Sequence, residues 1–439
     1  MKPFKRGLKL PDFKYASLSS LKIHRLPPPR FVTVRLDQHP GAVLRPCVRE
    51  GELVGVGTQI AHGTEPISVP LHSSASGRVH EIGHGFIRIE SDEADSRDSS
   101  IRPNDVPASD TERFVELLRQ AGIVDLARNP SPLHWQLLQA RARGIHTVIV
   151  NGCESEPFLT CDHLLMLNHP VEILKGTEML RNASGARQAI IAVEANKLEV
   201  VELLNSKNYA LKIKMVKAQT LPTRYPQGAP RTLARTITGL WAGSDEDLIR
   251  IGVLVVNVAT AFSVYEAAAL GKPLYERVVT VSGPCVLEPK NLWVRIGTPV
   301  GDLIRAAKGF MRPPERIILG GPLTGDAIES LEEPVVKKTQ AVLALPPELT
   351  HSGREEPCIR CGWCLQVCPE SLFPETIVRA VRKENLELAG QYEIERCTEC
   401  GCCAYICPSK IPIVSIIQKA KNKPAPNVSI PQPLDALPV

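Results

Sequence analysis

Cysteine spacing is the feature of this sequence that most directly indicates chemistry. Eight of the 13 cysteines fall into two copies of one run, Cys358-x-x-Cys361-x-x-Cys364-x-x-x-Cys368-Pro369 and Cys397-x-x-Cys400-x-x-Cys403-x-x-x-Cys407-Pro408. This run is typical of proteins with two [4Fe–4S] clusters, in which the cysteine before the proline binds the cluster of the other run. The chemistry expected of such a protein is the transfer of single electrons.

The same rule assigns the ligands of each cluster. A cubane cluster needs four thiolates around one small volume, and a loop with three closely spaced cysteines supplies only three of them. The fourth ligand therefore comes from the other run. The predicted metal ligands are Cys358, Cys361, Cys364 and Cys407 for one cluster, and Cys397, Cys400, Cys403 and Cys368 for the other.

Zinc sites and disulfides explain this pattern less well. A zinc ribbon uses two pairs of cysteines, which leaves the third member of each triplet and the Cys-Pro without a role. Disulfides require an oxidising compartment, and no apolar signal segment begins this sequence, so we expect a reducing cytoplasm. The remaining cysteines lack ligand spacing and are interpreted as ordinary thiols: Cys47, Cys153, Cys161, Cys285 and Cys402.

The composition is that of a folded protein with a substantial core. The chain has 439 residues, of which 43% are hydrophobic and 23% are charged, and this length suits about three domains of ordinary size. Its longest apolar stretch, residues 251–265, is shorter than the roughly 18 residues that cross a bilayer, so we expect no transmembrane segment. A net charge of +5, without interleaved aromatic residues, argues against nucleic acid as a partner.

The two ends of the chain differ in composition from the rest. Residues 1–30 contain eight Lys and Arg but a single acidic residue, Asp12. Such a basic arm either docks on an acidic partner or an anionic membrane surface, or lies extended over the body of the protein. Residues 421–439 contain five prolines and little apolar periodicity, which predicts an extended or disordered Pro-rich tail.

The fold class predicted between these ends is multidomain α/β and β. Residues 31–100 contain short β runs broken by Gly and Pro, which predict an antiparallel β module. Its sequence pattern resembles that of biotinyl and lipoyl carriers, which have the hammerhead, or barrel-sandwich-hybrid, fold. Those carriers have a modifiable Lys at the hairpin tip, whereas this tip is His72-Ser-Ser-Ala-Ser76. We therefore expect a structural module without a prosthetic group.

Three further modules follow in sequence. Residues 105–275 alternate strands, predicted at 147–150, 188–193 and 211–216, with helices at 171–182 and 198–204. This alternation predicts a Rossmann-like parallel α/β domain that hosts a nucleotide or flavin at the carboxyl ends of its strands. Residues 276–345 are rich in β pattern and predict a small β-grasp-like domain. Residues 350–420 hold both cysteine runs, separated by a helical pattern at 375–387, and predict a ferredoxin-type helical module.

Several short sequence motifs of the chain resemble those of a known family. They are Asn151-Gly-Cys-Glu-Ser-Glu-Pro157 with Thr160 and Asp162, Tyr225-Pro-Gln-Gly228, Gly271-Lys-Pro-Leu274, Glu276-Arg-Val-Val-Thr-Val-Ser-Gly283, Gly320-Gly-Pro322 and Pro357-Cys-Ile-Arg-Cys-Gly362. With this order of modules, the chain resembles the C subunit of the Rnf electron transport complex, which is related to the flavin-binding subunit of respiratory NADH dehydrogenase. The resemblance implies a peripheral subunit on the cytoplasmic face of a bacterial or archaeal inner membrane, in a complex that couples electron transfer to ion movement. In that family NADH reduces FMN, and the clusters carry single electrons onward.

The flavin site departs from this family. After a phrase like Ala121-Gly-Ile-Val124, the family has Gly-x-Gly-Gly-Ala-Gly-Phe-Pro-Thr, whereas residues 125–133 here read Asp-Leu-Ala-Arg-Asn-Pro-Ser-Pro-Leu. Glycine lets backbone N–H groups approach a phosphate closely, and each proline removes one donor. Two more family glycines are replaced, by Ala229 and Ala259. We therefore expect that the chain does not oxidise NADH in the family's manner.

The expected function is that of an electron-transfer subunit with two [4Fe–4S] clusters, without a catalytic acid, base or nucleophile. NADH is not expected as a cofactor, and the altered loop disfavours FMN. If FMN is retained, its candidate binding residues are Asn151, Glu154, Asn257 and Thr260; otherwise these residues cap strands and loops. Two alternatives stay open: an NADH-oxidising FMN subunit with a diverged loop, and a soluble reductase similar to the corrin reductases of bacterial microcompartments. Expected partners are other subunits of the complex and a protein electron carrier such as ferredoxin.

Overall fold

The computed structural model of the chain describes residues 6–40, 43–92, 94–98, 110–350 and 353–422. The chain divides into two compact units, Met1–Ser352 and Gly353–Val439. The predicted Pro-rich tail lies outside the described residues from residue 423 onward, as do the first five residues of the basic arm.

The described part of the basic arm belongs to the first unit. Leu8 and Tyr225 exchange two backbone hydrogen bonds of 2.8 and 2.9 Å, and the Phe13 ring stacks on Phe158 with ring centroids 4.9 Å apart. A 3-10 turn at Tyr15–Leu18 is followed by strand β1 (His24–Arg25), which pairs in parallel with residues 292–293. Residues 6–26 are therefore an ordered part of this unit.

The β module that follows has strands of alternating burial. In the first of them, Val32 and Val34 are buried while their neighbours are more exposed. Its strands are β2 (Phe31–Arg35), β3 (Arg45–Pro46), β4 (Leu53–Val54), β5 (Gln59–His62), β6 (Leu71–His72), β7 (Gly77–Gly83) and β8 (Phe86–Ser91). They form two sheets, in the orders β2-β8-β7-β4 and β3-β5-β6. The hairpin tip at residues 72–76 is buried, and Ser74 Oγ donates to the carbonyl oxygen of Ile296 at 2.5 Å.

The α/β domain contains a four-stranded parallel sheet in the order β11-β10-β9-β12. Its helices are α1 (Thr111–Gln120), α2 (Leu133–Ala142), α3 (Cys161–Asn168), α4 (Pro170–Ser184), α5 (Leu198–Leu211), α6 (Pro230–Thr238), α7 (Asp247–Arg250) and α8 (Val258–Leu270). Its strands are β9 (Thr147–Asn151), β10 (Gln188–Glu194), β11 (Val216–Leu221) and β12 (Val253–Asn257). Gly176 of α4 allows close helix packing, because a Cβ atom there would overlap with the carbonyl oxygen of Ala261 in α8.

One predicted strand of this domain is wrong. Residues 211–216 alternate between apolar and polar side chains, as a strand would, but α5 continues to Leu211 and β11 begins only at Val216. Lys212 ends the helix in the left-handed conformation, with φ of 59°. Ile213 is buried next to this helix end. The alternation therefore comes from a helix cap and not from a sheet.

A mixed six-stranded sheet completes the first unit, in the order β1-β14-β13-β17-β15-β16. Its elements are β13 (Glu276–Ser282), β14 (Lys290–Arg295), α9 (Val300–Ala306), β15 (Arg316–Leu319), β16 (Asp326–Ile328) and β17 (Ala341–Leu345). Because β1 from the basic arm forms one edge, this sheet is assembled from distant parts of the sequence.

The described residues of the second unit form only helices and loops. The helices are α10 (Trp363–Val367), α11 (Pro374–Arg382), α12 (Leu386–Gln391), α13 (Cys402–Tyr405) and α14 (Ile413–Lys421). The helical pattern predicted at 375–387 is interrupted, since Glu384 has a φ of 56° and separates α11 from α12. A core that includes Ile377, Ile413 and Ile417 holds these short helices together.

Candidate functional site

The two cysteine loops of the second unit have the same backbone conformation. The third residue of each loop, Arg360 or Glu399, has a positive φ, 54° and 55° respectively. Gly362 and Gly401 then have φ values of 74° and 80° and cap α10 and α13. In both loops the third cysteine of the triplet is the second residue of the helix. The repeated spacing is therefore a repeated structure, and the positive φ of the glycines is what allows it.

One predicted ligand set surrounds a single cavity. We call Cys397, Cys400, Cys403 and Cys368 the second set, and all four line this cavity. Leu372, Ile377 and Ile417 form part of its apolar wall. Cys368 of the first run thus lies at the same cavity as the three cysteines of the second run, and its role as their fourth ligand stays a prediction.

Polar contacts hold the second set in place. The backbone N–H of Glu399 donates to Cys397 Sγ at 3.4 Å, which is the type of second-shell hydrogen bond that orients cluster ligands. Lys421 Nζ donates to the carbonyl oxygen of Cys397 at 3.1 Å and pairs with Glu399 at 3.0 Å. These contacts connect the cysteine loop to α14.

The other predicted ligands, the first set, are more exposed. Cys358 and Cys361 are exposed, and Cys364 lies close enough to both for their charges to interact. Cys407 follows α13, which packs against α10, the helix that contains Cys364. Among the described residues, no three Cys, His, Asp or Glu side chains converge closely enough to hold a single metal ion.

The cysteines without ligand spacing lie in different surroundings. Cys153, Cys161 and Cys285 are buried in the first unit, and Cys47 is exposed. Burial raises the pKa of the Cys153 and Cys161 thiols well above the ordinary value. Cys402 is also buried, but it lines the cavity of the second set. Its hydrogen bond with Cys400 raises the pKa of Cys402 and lowers that of Cys400.

The candidate flavin-binding residues of the first unit meet at one edge of the parallel sheet. The strand order reverses between β9 and β12, and Asn151 and Asn257 are register partners at the carboxyl ends of these strands. Ligands of open α/β sheets bind outside such a point of reversal. The fold therefore places two of the four candidates where a nucleotide or flavin would be expected.

The side chains of both asparagines are already hydrogen-bonded within the protein. Asn151 Nδ2 donates to the carbonyl oxygen of Gly228 at 2.8 Å, and its Oδ1 accepts from the N–H of Cys153 at 3.2 Å. Asn257 Nδ2 donates to Asp162 Oδ2 at 2.8 Å, and its Oδ1 accepts from the N–H of Ala259 at 2.7 Å, which caps α8. Asn151 thus holds neighbouring loop backbone, and Asn257 caps α8.

Glu154 faces a residue of the basic arm. Its Oε1 accepts from the N–H of Asp162 at 2.8 Å, and its Oε2 lies 3.7 Å from Lys14 Nζ. Lys14 Nζ also donates to the carbonyl oxygens of Glu154 and Leu159, at 2.7 and 2.6 Å. Nothing in the sequence near Lys14 indicated this contact, because its partners are about 140 residues away.

Asp125, the first residue of the loop that replaces the glycines, caps the start of α8. Its Oδ1 accepts from the N–H of Asn257 at 2.8 Å and from Thr260 Oγ1 at 2.7 Å. Thr260 Oγ1 in turn accepts from the N–H of Leu126 at 2.8 Å. Helix N-termini attract anions because their N–H groups are unpaired and carry partial positive charge. Here a carboxylate of the protein itself occupies that position.

These residues do not fit a flavin bound in the way that a glycine-rich loop binds one. The side chains of Asn151, Asn257 and Thr260 are used internally, Asp125 contributes an acidic group beside the start of α8, and Pro130 and Pro132 lack N–H donors. The cavity of the second set, by contrast, presents four thiols of the type that binds iron–sulfur clusters.

Comparison with known families agrees with this division into modules. Four family models match parts of the chain: the RnfC barrel sandwich hybrid domain at residues 2–96, the Nuo51 FMN-binding domain at 118–266, the SLBB domain at 278–327 and the 4Fe-4S dicluster domain at 355–411. The predicted barrel-sandwich-hybrid, flavin-type and iron–sulfur modules are thereby confirmed. The β-grasp-like character of residues 276–345 stays a prediction.

Three of the curated relatives match over most of their length. The C subunit of the ion-translocating oxidoreductase complex of Rhodobacter capsulatus is 37% identical over 417 residues, which cover 92% of this chain and 80% of the relative. The C subunit of the proton-translocating ferredoxin:NAD(+) oxidoreductase complex of Clostridium ljungdahlii is 33% identical, with coverage of 86% and 84%. The Na(+)-translocating counterpart of Acetobacterium woodii is 32% identical, with coverage of 85% and 86%. The chain belongs to the RnfC family.

Membership in the RnfC family confirms the resemblance found in the sequence. With its 4Fe-4S dicluster domain, this RnfC chain is an iron–sulfur electron-transfer subunit of an ion-translocating oxidoreductase. Because its relatives are subunits of larger complexes, partner subunits are implied. Among the residues that the structure describes, no helix is both long enough and apolar enough to span a membrane.

Solved structures resemble this RnfC chain in fold alone. The crystal structure of an NAD+-reducing [NiFe]-hydrogenase in the H2-reduced state aligns with a TM-score of 0.54 at 15% identity. The alignment covers 71% of this chain and 62% of the hydrogenase chain.

The capping carboxylate of this RnfC chain predicts a pH dependence of stability. Burial raises the pKa of Asp125 from 3.8 to about 6. Its contribution to the free energy of unfolding is therefore present below the unfolded pKa and is lost as the pH rises through about 6. In Asp125→Asn the Oδ1 can still accept both hydrogen bonds, but no charge is buried. Relative to the wild type, we expect the variant to gain on the order of 3 kcal/mol between about pH 4 and about pH 8.

Urea unfolding followed by tryptophan fluorescence at several pH values measures this difference. Comparing two proteins cancels the contributions of groups that titrate alike in both. Asp326→Asn is the exposed control, because the side chain of Asp326 is 66% exposed and its replacement should change the free energy of unfolding by no more than about 0.5 kcal/mol. A pH-independent difference for Asp125→Asn would contradict the buried, charged cap.

Proposed function

We propose that this RnfC chain is a peripheral subunit on the cytoplasmic face of the membrane that passes single electrons through two [4Fe–4S] clusters. The first set and the second set of cysteines would hold one cluster each. We also propose that the flavin-type site does not oxidise NADH. The observation that carries this second part is the Asp125 carboxylate bonded to Asn257 and Thr260 at the start of α8.

The second unit would contribute the thiolate ligands of the clusters and the buried surroundings of these ligands. Bound clusters would supply one-electron redox chemistry, so the protein needs to provide four thiolates and a shielded environment for each. Cys368 and Cys403 are each 8% exposed, and the N–H of Glu399 donates to Cys397 Sγ. Burial and such hydrogen bonds set the reduction potential of a cluster. No general acid or base is required for this function.

The flavin-type domain would then act as a scaffold. A nucleotide phosphate at the start of α8 would have to displace the carboxylate of Asp125 and break its hydrogen bonds to Asn257 and Thr260. Because like charges repel and both groups need the same donors, Asp125 and a phosphate compete for one position. This competition supports the proposal that the chain exchanges electrons with proteins. The partners that we propose are integral and peripheral subunits of the complex and an electron carrier such as ferredoxin.

Cofactor content is the direct test of both parts. The full chain, purified anaerobically, is expected to contain about eight iron and about eight sulfide atoms per polypeptide, since two cubane clusters require them. We expect no stoichiometric flavin in an extract of the same sample. Recovery of tightly bound FMN would contradict the scaffold role of the flavin-type domain, and an iron content near zero after anaerobic purification and reconstitution would refute the two-cluster function.

A second candidate function is supported by the match of the Nuo51 FMN-binding domain model at residues 118–266. In this alternative the chain is an NADH-oxidising FMN subunit whose cofactor loop has diverged. Anaerobic addition of NADH to the purified chain separates the two functions. Rapid bleaching of cluster absorbance would establish the alternative, whereas dithionite-dependent bleaching without a response to NADH supports the function proposed above.

A further inference from the structure

One lysine of the second unit contacts the loop that contains most of the second set. Lys421 is the last residue of α14. Its Nζ donates to the carbonyl oxygen of Cys397 at 3.1 Å and to Glu399 Oε1 at 3.0 Å. The side chains of Lys421 and Glu399 are only 19% and 24% exposed. Solvent and salt screen a partly buried ion pair of this kind less than a pair on the open surface.

Glu399 lies between two predicted cluster ligands. Cys397 precedes it by two residues, and Cys400 follows it directly. The backbone N–H of Glu399 donates to Cys397 Sγ at 3.4 Å, so its main chain lies against the ligand sulfur. Its second carboxylate oxygen, Oε2, accepts from Gln418 Nε2 at 2.9 Å. Both carboxylate oxygens are therefore held by α14, through Lys421 and Gln418.

The other cysteine loop has the opposite charge at the equivalent position. Arg360 is the third residue of the first loop, as Glu399 is of the second, and their φ values are 54° and 55°. Because the backbone conformation is the same in both loops, the conformation does not require an acidic residue here. The carboxylate and its lysine partner are therefore a feature in which the two loops differ.

The charges beside a cluster influence how readily it accepts an electron. Reduction adds one negative charge to the cluster and its four thiolates. A carboxylate close to the ligands disfavours this added charge, and a cation in the same place favours it. Glu399 and Lys421 together contribute almost no net charge. Without Lys421, the charge of Glu399 would act on the cluster uncompensated.

We propose that Lys421 is a positioning residue that neutralises Glu399 beside the ligand loop and thereby raises the reduction potential of the cluster held by the second set. The inference rests on the proposed two-cluster function. The step that it affects is the gain of one electron, from the 2+ to the 1+ state of the cluster. A protein electron carrier supplies this electron in the complex, and dithionite supplies it in the test. No bond to iron forms or breaks, and no proton is transferred.

The test compares Lys421→Met with Lys421→Arg in the full chain, purified anaerobically. Iron content is measured first, and then the midpoint potentials of both clusters by redox titration followed by electron paramagnetic resonance. We expect about eight iron atoms in both variants. In Lys421→Met, the cluster whose signal is absent from Cys397→Ala should become harder to reduce, by about tenfold in the equilibrium constant, which is about 59 mV for one electron. Lys421→Arg retains the charge and should keep most of the wild-type potential.

Glu399→Gln tests the same ion pair through its other member. Here the charge of Lys421 is left unopposed, so the same cluster should shift to a more positive potential. In the double variant Lys421→Met/Glu399→Gln both charges are removed, and the potential should return towards the wild-type value. A role of Lys421 in folding alone would not produce shifts of opposite sign in the two single variants.

Lys419→Met is the matched control, because Lys419 is an exposed lysine of the same helix and its replacement removes the same charge. Solvent screens such an exposed charge, so neither potential should change. An unchanged potential in Lys421→Met with full iron content would overturn the proposal, and so would an equal shift in Lys419→Met. Loss of iron from Lys421→Met would also overturn it, since Lys421 would then be needed to retain the cluster. A wild-type chain without clusters refutes the proposed function itself, and its iron content detects this before any variant is compared.

Discussion

Replacement of Cys368 by alanine is expected to remove the cluster of the second set and to leave the other cluster in place. Cys368 belongs to the first cysteine run in sequence, but it lines the cavity together with Cys397, Cys400 and Cys403 of the second run. A cubane that loses one of its four thiolates loses a bond that water replaces poorly in an apolar cavity. Iron content should therefore fall from about eight to about four atoms per chain.

Electron paramagnetic resonance of the reduced variants identifies which cluster is lost. If the ligands cross between the runs, Cys368→Ala and Cys397→Ala lack the same signal, and Cys407→Ala and Cys358→Ala lack the other. Cys285→Ala is expected to keep both signals, because this thiol is buried elsewhere in the chain. A spectrum of Cys368→Ala that matches Cys358→Ala would mean that each run binds its own cluster, and the crossed assignment would be wrong.

The cysteine module shows how much of a cluster-binding site can be predicted from the sequence. Ligand spacing is local, and the loop around a cluster has few conformations, so the repeat was evident before the structure. Gly362 and Gly401 occupy equivalent positions in the two copies of this repeat, and both have a positive φ. The alternation of strands and helices likewise predicted the parallel sheet, and the family phrases placed Asn151 and Asn257 near a cofactor-type site.

What the sequence did not predict depends on contacts between distant residues. In the sequence, Asp125 is only the first residue of the stretch that replaces the family's glycines, but its partners Asn257 and Thr260 lie more than 130 residues away and make it a helix cap. The false strand at 211–216 arose because alternation within six residues cannot distinguish a helix end from a strand. The distant partners decide the role of Asp125, whereas at 211–216 the helix cap at Lys212 decides the conformation.

Lys14 is the other residue whose role depends on a distant partner, and its replacement by methionine is expected to destabilise the first unit strongly. The Lys14 side chain is 6% exposed, and its ammonium group donates to the carbonyl oxygens of Glu154 and Leu159 while lying 3.7 Å from Glu154 Oε2. Burial lowers the pKa of Lys14, and the nearby Glu154 opposes this shift. Methionine fills a similar volume but leaves a buried carboxylate and two carbonyl groups without their donor.

Removal of one partner from a buried ion pair typically costs about 3–5 kcal/mol, and we expect Lys14→Met to lower the free energy of unfolding by this amount. Urea unfolding followed by tryptophan fluorescence measures it, because three of the four tryptophans, Trp135, Trp241 and Trp293, lie in the first unit. Lys9→Met is the matched control, since Lys9 is an exposed lysine of the same arm. Its effect should stay within about 0.5 kcal/mol.

The double variant Lys14→Met/Glu154→Gln tests the cause of this loss. If the uncompensated carboxylate is responsible, neutralising it should recover part of the stability, so that the two effects are not additive. Glu154 and Leu159 both lie in the loop that follows Asn151. The backbone carbonyl oxygens of both residues accept hydrogen bonds from Lys14 Nζ. Lys14, a residue of the basic arm, therefore holds in place the loop next to the flavin-type site. Full additivity of the two substitutions would show that Lys14 stabilises the loop through its carbonyl contacts alone, without a contribution from the charge of Glu154.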